Sequence, residues 1–142
     1  MIEKTIVVYI LQLALNYTGY PPLSEDFVVP DVVFITQEAL IRKSCEFELP
    51  SALDECLIES GKHKLVGLYD RYNPKIYIVE TLEKGLNNRE PYAVGVLLHE
   101  VIHVLQMKYK HGDNPDIRPN EKYQDEIEAY GIQKKFMKGN LN

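Results

Sequence analysis

Near residue 100 the chain reads Leu98-His99-Glu100-Val101-Ile102-His103-Val104-Leu105-Gln106. Three ionisable groups stand in a segment that is otherwise hydrocarbon, and burying such groups without partners is costly. Residues four apart share one face of an α-helix. His99 and His103 therefore point the same way and can hold one metal ion through two imidazole nitrogens. Glu100 lies about 100° further round, at ~3.6 residues per turn. Its carboxylate is near such an ion but outside the inner shell, where it can take a proton from a coordinated water.

The surroundings fit a buried helix. Tyr92 to Tyr109 reads as one continuous segment, and Pro91 suits its first turn. Val94, Val96, Leu97, Leu98, Val101, Ile102, Val104 and Leu105 make it apolar on most sides. The plain alternative is that both histidines are hydrogen-bonded core residues. Gln106 sits one turn beyond His103, facing either the site or solvent. Gly95, one turn before His99, either leaves room for substrate or lets another helix pack closely.

Two histidines do not complete a catalytic zinc site, which usually takes three protein ligands and one water. A second helix, Glu121 to Met137, supplies candidates. The mean direction of its apolar positions (Tyr123, Ile127, Ala129, Tyr130, Ile132, Phe136 and Met137) falls almost on Glu126. Glu128 falls about 160° away, towards solvent. A carboxylate at the centre of a buried face needs a salt bridge or a metal. The expected ligands are thus His99, His103 and Glu126 on Zn2+, with Glu128, Glu121 and Asp125 as fallbacks. His111, in the following loop, is the weaker candidate. In this chemistry zinc lowers the pKa of its water towards about 7, and Glu100 takes the proton and later passes it to the leaving amine. A donor should stabilise the oxyanion; Tyr130, Tyr123, His111 and Tyr92 are candidates.

His99-Glu100-Val101-Ile102-His103 followed by Glu126-Ile127-Glu128-Ala129-Tyr130 resembles the gluzincin group of zincin metallopeptidases. The resemblance covers roughly the last half of the chain and extends to small bacterial and phage zincin-like proteins. It implies a third ligand from a downstream helix at Glu126, with Ala129 as the small packing position. Tyr130 stands where the group often has Asp or Asn to support a ligating histidine, which a tyrosine can do only through its hydroxyl. Aligning instead on the immediately following alanine would make Glu128 the ligand. The resemblance also implies a strand edge beside the site that binds peptide by backbone pairing. Lys75 to Val79 is the candidate edge; the alternative is an ordinary core strand.

Upstream, Ile2 to Tyr17 reads as a buried first helix ended by Thr18-Gly19 and Pro21-Pro22. Its apolar run has signal-peptide length, but Glu3, Gln12 and the lack of a small-x-small site favour the helix. Pro21 to Pro30 reads as a loop, Asp31 to Thr36 as a short buried strand and Gln37 to Cys45 as a helix. Glu46 to Gly61 is ambiguous, with Ser51 a possible cap for a short helix. Lys64 to Asp70 and Lys75 to Val79 form an expected hairpin, and Thr81 to Glu90 a polar connection.

With 142 residues, the size prior gives one domain, 1–142. A net charge of -5 without a basic block argues against nucleic acid or anionic membrane as the main partner. Two cysteines, Cys45 and Cys56, are too few for a disulfide framework. They read as reduced thiols in a cytoplasmic protein, with a Cys45–Cys56 bridge as the alternative if the chain is secreted.

The expected fold is α+β and zincin-like. A small mixed or antiparallel sheet packs on the buried His-Glu-x-x-His helix, and a C-terminal helix supplies the third ligand. The expected function is zinc-dependent hydrolysis of peptide bonds in a peptide or protein substrate. The alternatives are a catalytically silent interaction module and a cell-wall amidase. Retention of Glu100 favours hydrolysis, because a purely structural zinc site needs no water-activating carboxylate.

Overall fold

The computed structural model describes residues 2–46, 50–62 and 65–140. In chain order these form α1 (Lys4–Thr18), β1 (Asp31–Ile35), α2 (Gln37–Ser44), α3 (Pro50–Lys62), β2 (Gly67–Asp70) and β3 (Lys75–Val79). A 3-10 turn (Glu80–Leu82) leads to α4 (Glu83–Asn87), α5 (Pro91–Tyr109) and α6 (Pro119–Gly139). The architecture is α+β, with a three-stranded mixed sheet beside a helical layer.

α5 is the centre. Every residue from Ala93 to Ile102 is buried, as are Val104 to Met107. Such a helix must be wrapped on all sides, and α1, α4, α6, β2 and β3 all pack against it. α1 contributes Ile6, Ile10 and Ala14 at helical spacing. It stops at Gly19, whose φ of 73° and N–H bond to the Leu15 carbonyl make a left-handed C-cap. β3 alternates as a half-covered strand does, with Ile76 and Ile78 fully buried against the helices.

The strand order is β1-β3-β2. β1 runs parallel to β3, from Asp31 opposite Lys75 to Ile35 opposite Val79. β2 runs antiparallel to it, from Gly67 opposite Ile78 to Asp70 opposite Lys75. The expected hairpin is present. Asp70 Oδ1 tightens its turn by accepting from the N–H groups of Tyr72 and Asn73 at 3.0 and 3.1 Å. Lys64, the expected first strand residue, lies outside the described residues.

Several expectations are corrected. β3 is the central strand, paired on both sides, so Lys75 to Val79 is no free edge; β2 is the edge beside α5. Cys45 and Cys56 are not free thiols: they form a disulfide joining the C-terminal end of α2 to the middle of α3. Ser51 lies inside the first turn of α3, which begins at Pro50, rather than capping it. Thr81 to Glu90, expected as a polar connection, holds a 3-10 turn and α4, with Gly85 and Leu86 buried. No helix among the described residues is long and apolar enough to cross a membrane.

Candidate metal centre

α5 and α6 are the most extensively packed pair of elements, and Gly95 explains how closely they approach. A Cβ there would lie 3.1 Å from Met137 Cγ and 3.5 Å from Gln133 Cγ, both on α6. Of the two roles open to Gly95 from sequence, the close helix contact is the one found.

That approach brings the expected ligands together. His99 Nε2 and His103 Nε2 are 3.1 Å apart. Glu126 Oε1 lies 3.4 Å from His99 Nε2 and in direct contact with His103 Nε2. His99, Glu100 and His103 offer ligand atoms all within 4.8 Å of one another. Ligands at zinc distances of ~2.0–2.2 Å in a tetrahedron stand about 3.3 Å from each other. Two edges of the His99–His103–Glu126 triangle already have that length. The third is drawn in by a hydrogen bond between imidazole and carboxylate.

The far side of each ring fixes which nitrogen faces the centre. His99 Nδ1 is 3.0 Å from Gln133 Oε1, and His103 Nδ1 is 2.7 Å from Gln106 Oε1. An amide oxygen only accepts, so each Nδ1 carries hydrogen and each Nε2 is turned to the shared point. The Gln106 amide is itself oriented: its Nε2 donates to the Asp125 carbonyl at 3.0 Å and to Glu128 Oε1 at 2.9 Å. Tyr20 donates to the same Glu128 oxygen at 3.0 Å. A chain of bonds from α1's exit loop through α6 thus sets the tautomer of His103, as supports of metal-ligating histidines do. The donor set fits a zinc ion: two oriented imidazole nitrogens, one carboxylate, and outer partners for both rings.

Glu100 is buried on the side facing β2. The Tyr69 N–H donates to it. Burial is the largest influence on its acidity and raises it; His103, His99 and the Tyr69 bond work the other way, and the result stays above the usual carboxylate range. A raised pKa suits a group that must accept a proton.

The fallback ligands are engaged elsewhere. Asp125 binds Lys110 Nζ at 2.6 Å and His111 Nε2 at 2.7 Å. Glu121 Oε2 lies 3.4 Å from the other nitrogen of His111. His111 is therefore a buried clamp between the loop and α6. Glu128 is held by Tyr20 and Gln106 and is not turned out to solvent as expected. The expected burial of α6 also shifts. Its buried stripe is Asp125, Ala129, Ile132 and Phe136, while Tyr123, Ile127 and Tyr130 are exposed. Glu126 sits at the edge of that stripe, 44% exposed, rather than at its centre.

Among the expected oxyanion donors, Tyr123 is on the outer face of α6, 69% exposed. Tyr92 and Tyr130 line the cleft. The Tyr130 ring stands edge-on to His99 with centroids 4.3 Å apart. Burial, then the charges of Glu126 and Glu100, raise its pKa, so the hydroxyl keeps its proton to donate. The histidine support expected from Tyr130 comes instead from Gln133, seven residues beyond Glu126 on the same helical face. No family model matches this chain, and no curated protein or solved structure is significantly similar to it.

Proposed function

We propose that this chain is a zinc-dependent metallopeptidase of zincin-like architecture, one domain over residues 1–142, acting on extended peptide or protein segments. The observation that carries this is the convergence of His99, His103 and Glu126 on one point with Glu100 buried beside it. Zinc at that point would polarise the scissile carbonyl and acidify water. Glu100, anchored by Tyr69, is placed to take a proton from that water and return it to the departing amine. Tyr130 borders the same space and can donate to the oxygen on which charge develops.

The edge of β2 supplies a track for substrate. The Val79 N–H bonds the Val66 carbonyl at 2.9 Å. In an antiparallel ladder the bonding direction alternates along each strand, so Val66 and Leu68 face β3 while Gly67 and Tyr69 face outward. The Gly67 backbone and the Tyr69 carbonyl therefore turn to the cleft, beside the Tyr69 N–H that Glu100 occupies, and an extended chain can add there as a further strand. The Cys45–Cys56 bond favours assembly in an oxidising compartment over the cytoplasm.

Purified protein should hold close to one zinc per chain and cleave unstructured peptides, with cleavage lost on chelation and restored by zinc. Hydrolysis indifferent to chelator would overturn the proposal; stoichiometric zinc without hydrolysis would leave only the silent interaction module.

A second expectation concerns Gly67. A Cβ there would lie 3.0 Å from Glu100 Oε2 and 3.2 Å from Val96 Cγ1. The carboxylate is the group that must give way, and it is held on this side by the Tyr69 N–H. Gly67→Ala should leave zinc content unchanged and lower kcat by about tenfold, because small displacements of a catalytic group are costly. Unchanged kcat would show that Glu100 tolerates the shift.

A further inference from the structure

The cleft beside the metal centre has two ends of different chemistry. It follows α5 from Tyr92 and Val96 to Gln106 and Met107, and β2 with its flanking residues from Leu65 to Arg71. The four strand residues Gly67–Asp70, at ~3.3 Å each, make a track about 13 Å long, enough for an extended segment of about four residues. His99, Glu100, Gly67 and Tyr130 border both ends, so the reacting bond would lie between them.

One end is a cavity of about 260 Å³ walled by Leu65, Val66, Val96, Tyr92 and Tyr130. Apart from His99 and Glu100 it holds no ionisable group except the two phenols. Tyr92 and Tyr130 are 48% and 53% exposed, so their rings present apolar surface to anything entering. The other end, about 280 Å³, has both Arg71, just after β2, and Lys122, on α6, in its lining. Of its three acids, Asp125 is paired with Lys110 and His111, Glu126 faces the two histidines, and Glu100 is held by the Tyr69 N–H. Neither Arg71 nor Lys122 has an ion pair among the described residues.

Resting on the peptidase reading, we propose that the cleft selects a segment with a large apolar or aromatic residue on one side of the scissile bond and a carboxylate on the other. The ring-walled end takes the apolar side chain; Arg71, backed by Lys122, takes the carboxylate as a charge-assisted partner.

The test uses labelled hexapeptides of alanine, acetylated and amidated at their ends. One phenylalanine and one aspartate are placed on either side of the central bond, in both orders. Binding is read by fluorescence anisotropy on zinc-loaded, full-length Glu100→Gln protein, and hydrolysis separately on wild type. One of the two orders should bind at least tenfold more tightly than all-alanine peptide and than its lysine-for-aspartate analogue. Arg71→Glu with Lys122→Glu should invert the aspartate–lysine preference. The milder Arg71→Ala should erase it without affecting the phenylalanine contribution, and Tyr92→Ala should do the reverse. Equal affinity for all peptides, or a preference that survives both Arg71 variants, overturns the proposal. Selective binding without hydrolysis of any peptide would sink the peptidase reading and keep the selectivity. Hydrolysis without selectivity would do the opposite.

Discussion

Glu100→Gln protein is expected to bind zinc at wild-type stoichiometry and to hydrolyse peptide some ~10²–10⁴-fold more slowly, the usual contribution of a positioned acid–base group. The substitution is nearly isosteric. The Tyr69 N–H that holds Glu100 meets an amide oxygen in place of a carboxylate oxygen, so the fold around β2 and α5 should be kept. What is lost is the ability to take a proton. The two histidines and Glu126 are untouched, so metal analysis separates loss of chemistry from loss of the site. A buried carboxylate also carries a desolvation cost that a neutral amide avoids, so the variant should melt no lower than wild type. Full activity in Glu100→Gln would assign the proton transfer to another group and remove Glu100 from the mechanism.

How much of this was readable before any coordinates differs by element. α5 was plain because burial on all sides leaves an unbroken apolar text, and the His99–His103 spacing can mean only one shared face. Glu126 does face both histidines, but the premise that pointed to it is revised. The helical wheel counted Tyr123, Ile127 and Tyr130 as buried because they are apolar. All three are exposed, with only Tyr130 lining the cleft, and the true buried stripe runs through Asp125, whose charge is matched by Lys110 and His111. Hydrophobicity is a one-way guide to burial, because much of a folded protein's surface is still apolar. Glu128 was misplaced for the complementary reason, since Tyr20, 108 positions away in sequence, is what turns it inward. Sheet order was hidden likewise. A hairpin is local and legible, but the parallel partner that makes β3 central comes from β1 across two helices and a strand. Gln133 alone left a usable trace, standing two turns beyond Glu126 on the same face.

Glu126→Ala should weaken zinc binding by more than the ~10–100-fold that follows loss of an outer hydrogen-bond partner, because a ligand itself is removed. Glu128→Ala is the internal control. Glu128 touches the centre only through Gln106 and His103, so its loss should stay within that range. The pH dependence sharpens the distinction. Burial by itself would lower the His103 pKa, but the bond to Glu126 and the charges of Glu100 and Glu126 outweigh it and push the group up to about 9. A histidine with a raised folded pKa stabilises the metal-free fold fully below its unfolded value, near ~6.5, and that contribution disappears as pH rises through about 9. Zinc needs the nitrogen that this proton occupies. Apparent zinc affinity of the wild type should therefore climb by about one decade per pH unit on the acid side and level off above about 9. Without Glu126, His103 loses the partner that holds its proton, so affinity is lower throughout but reaches its plateau at lower pH. Competition titrations against a zinc indicator across pH would read both effects at once. A full-strength site in Glu126→Ala, paired with collapse in Glu128→Ala, would transfer the third ligand to Glu128 and require α6 to turn relative to α5.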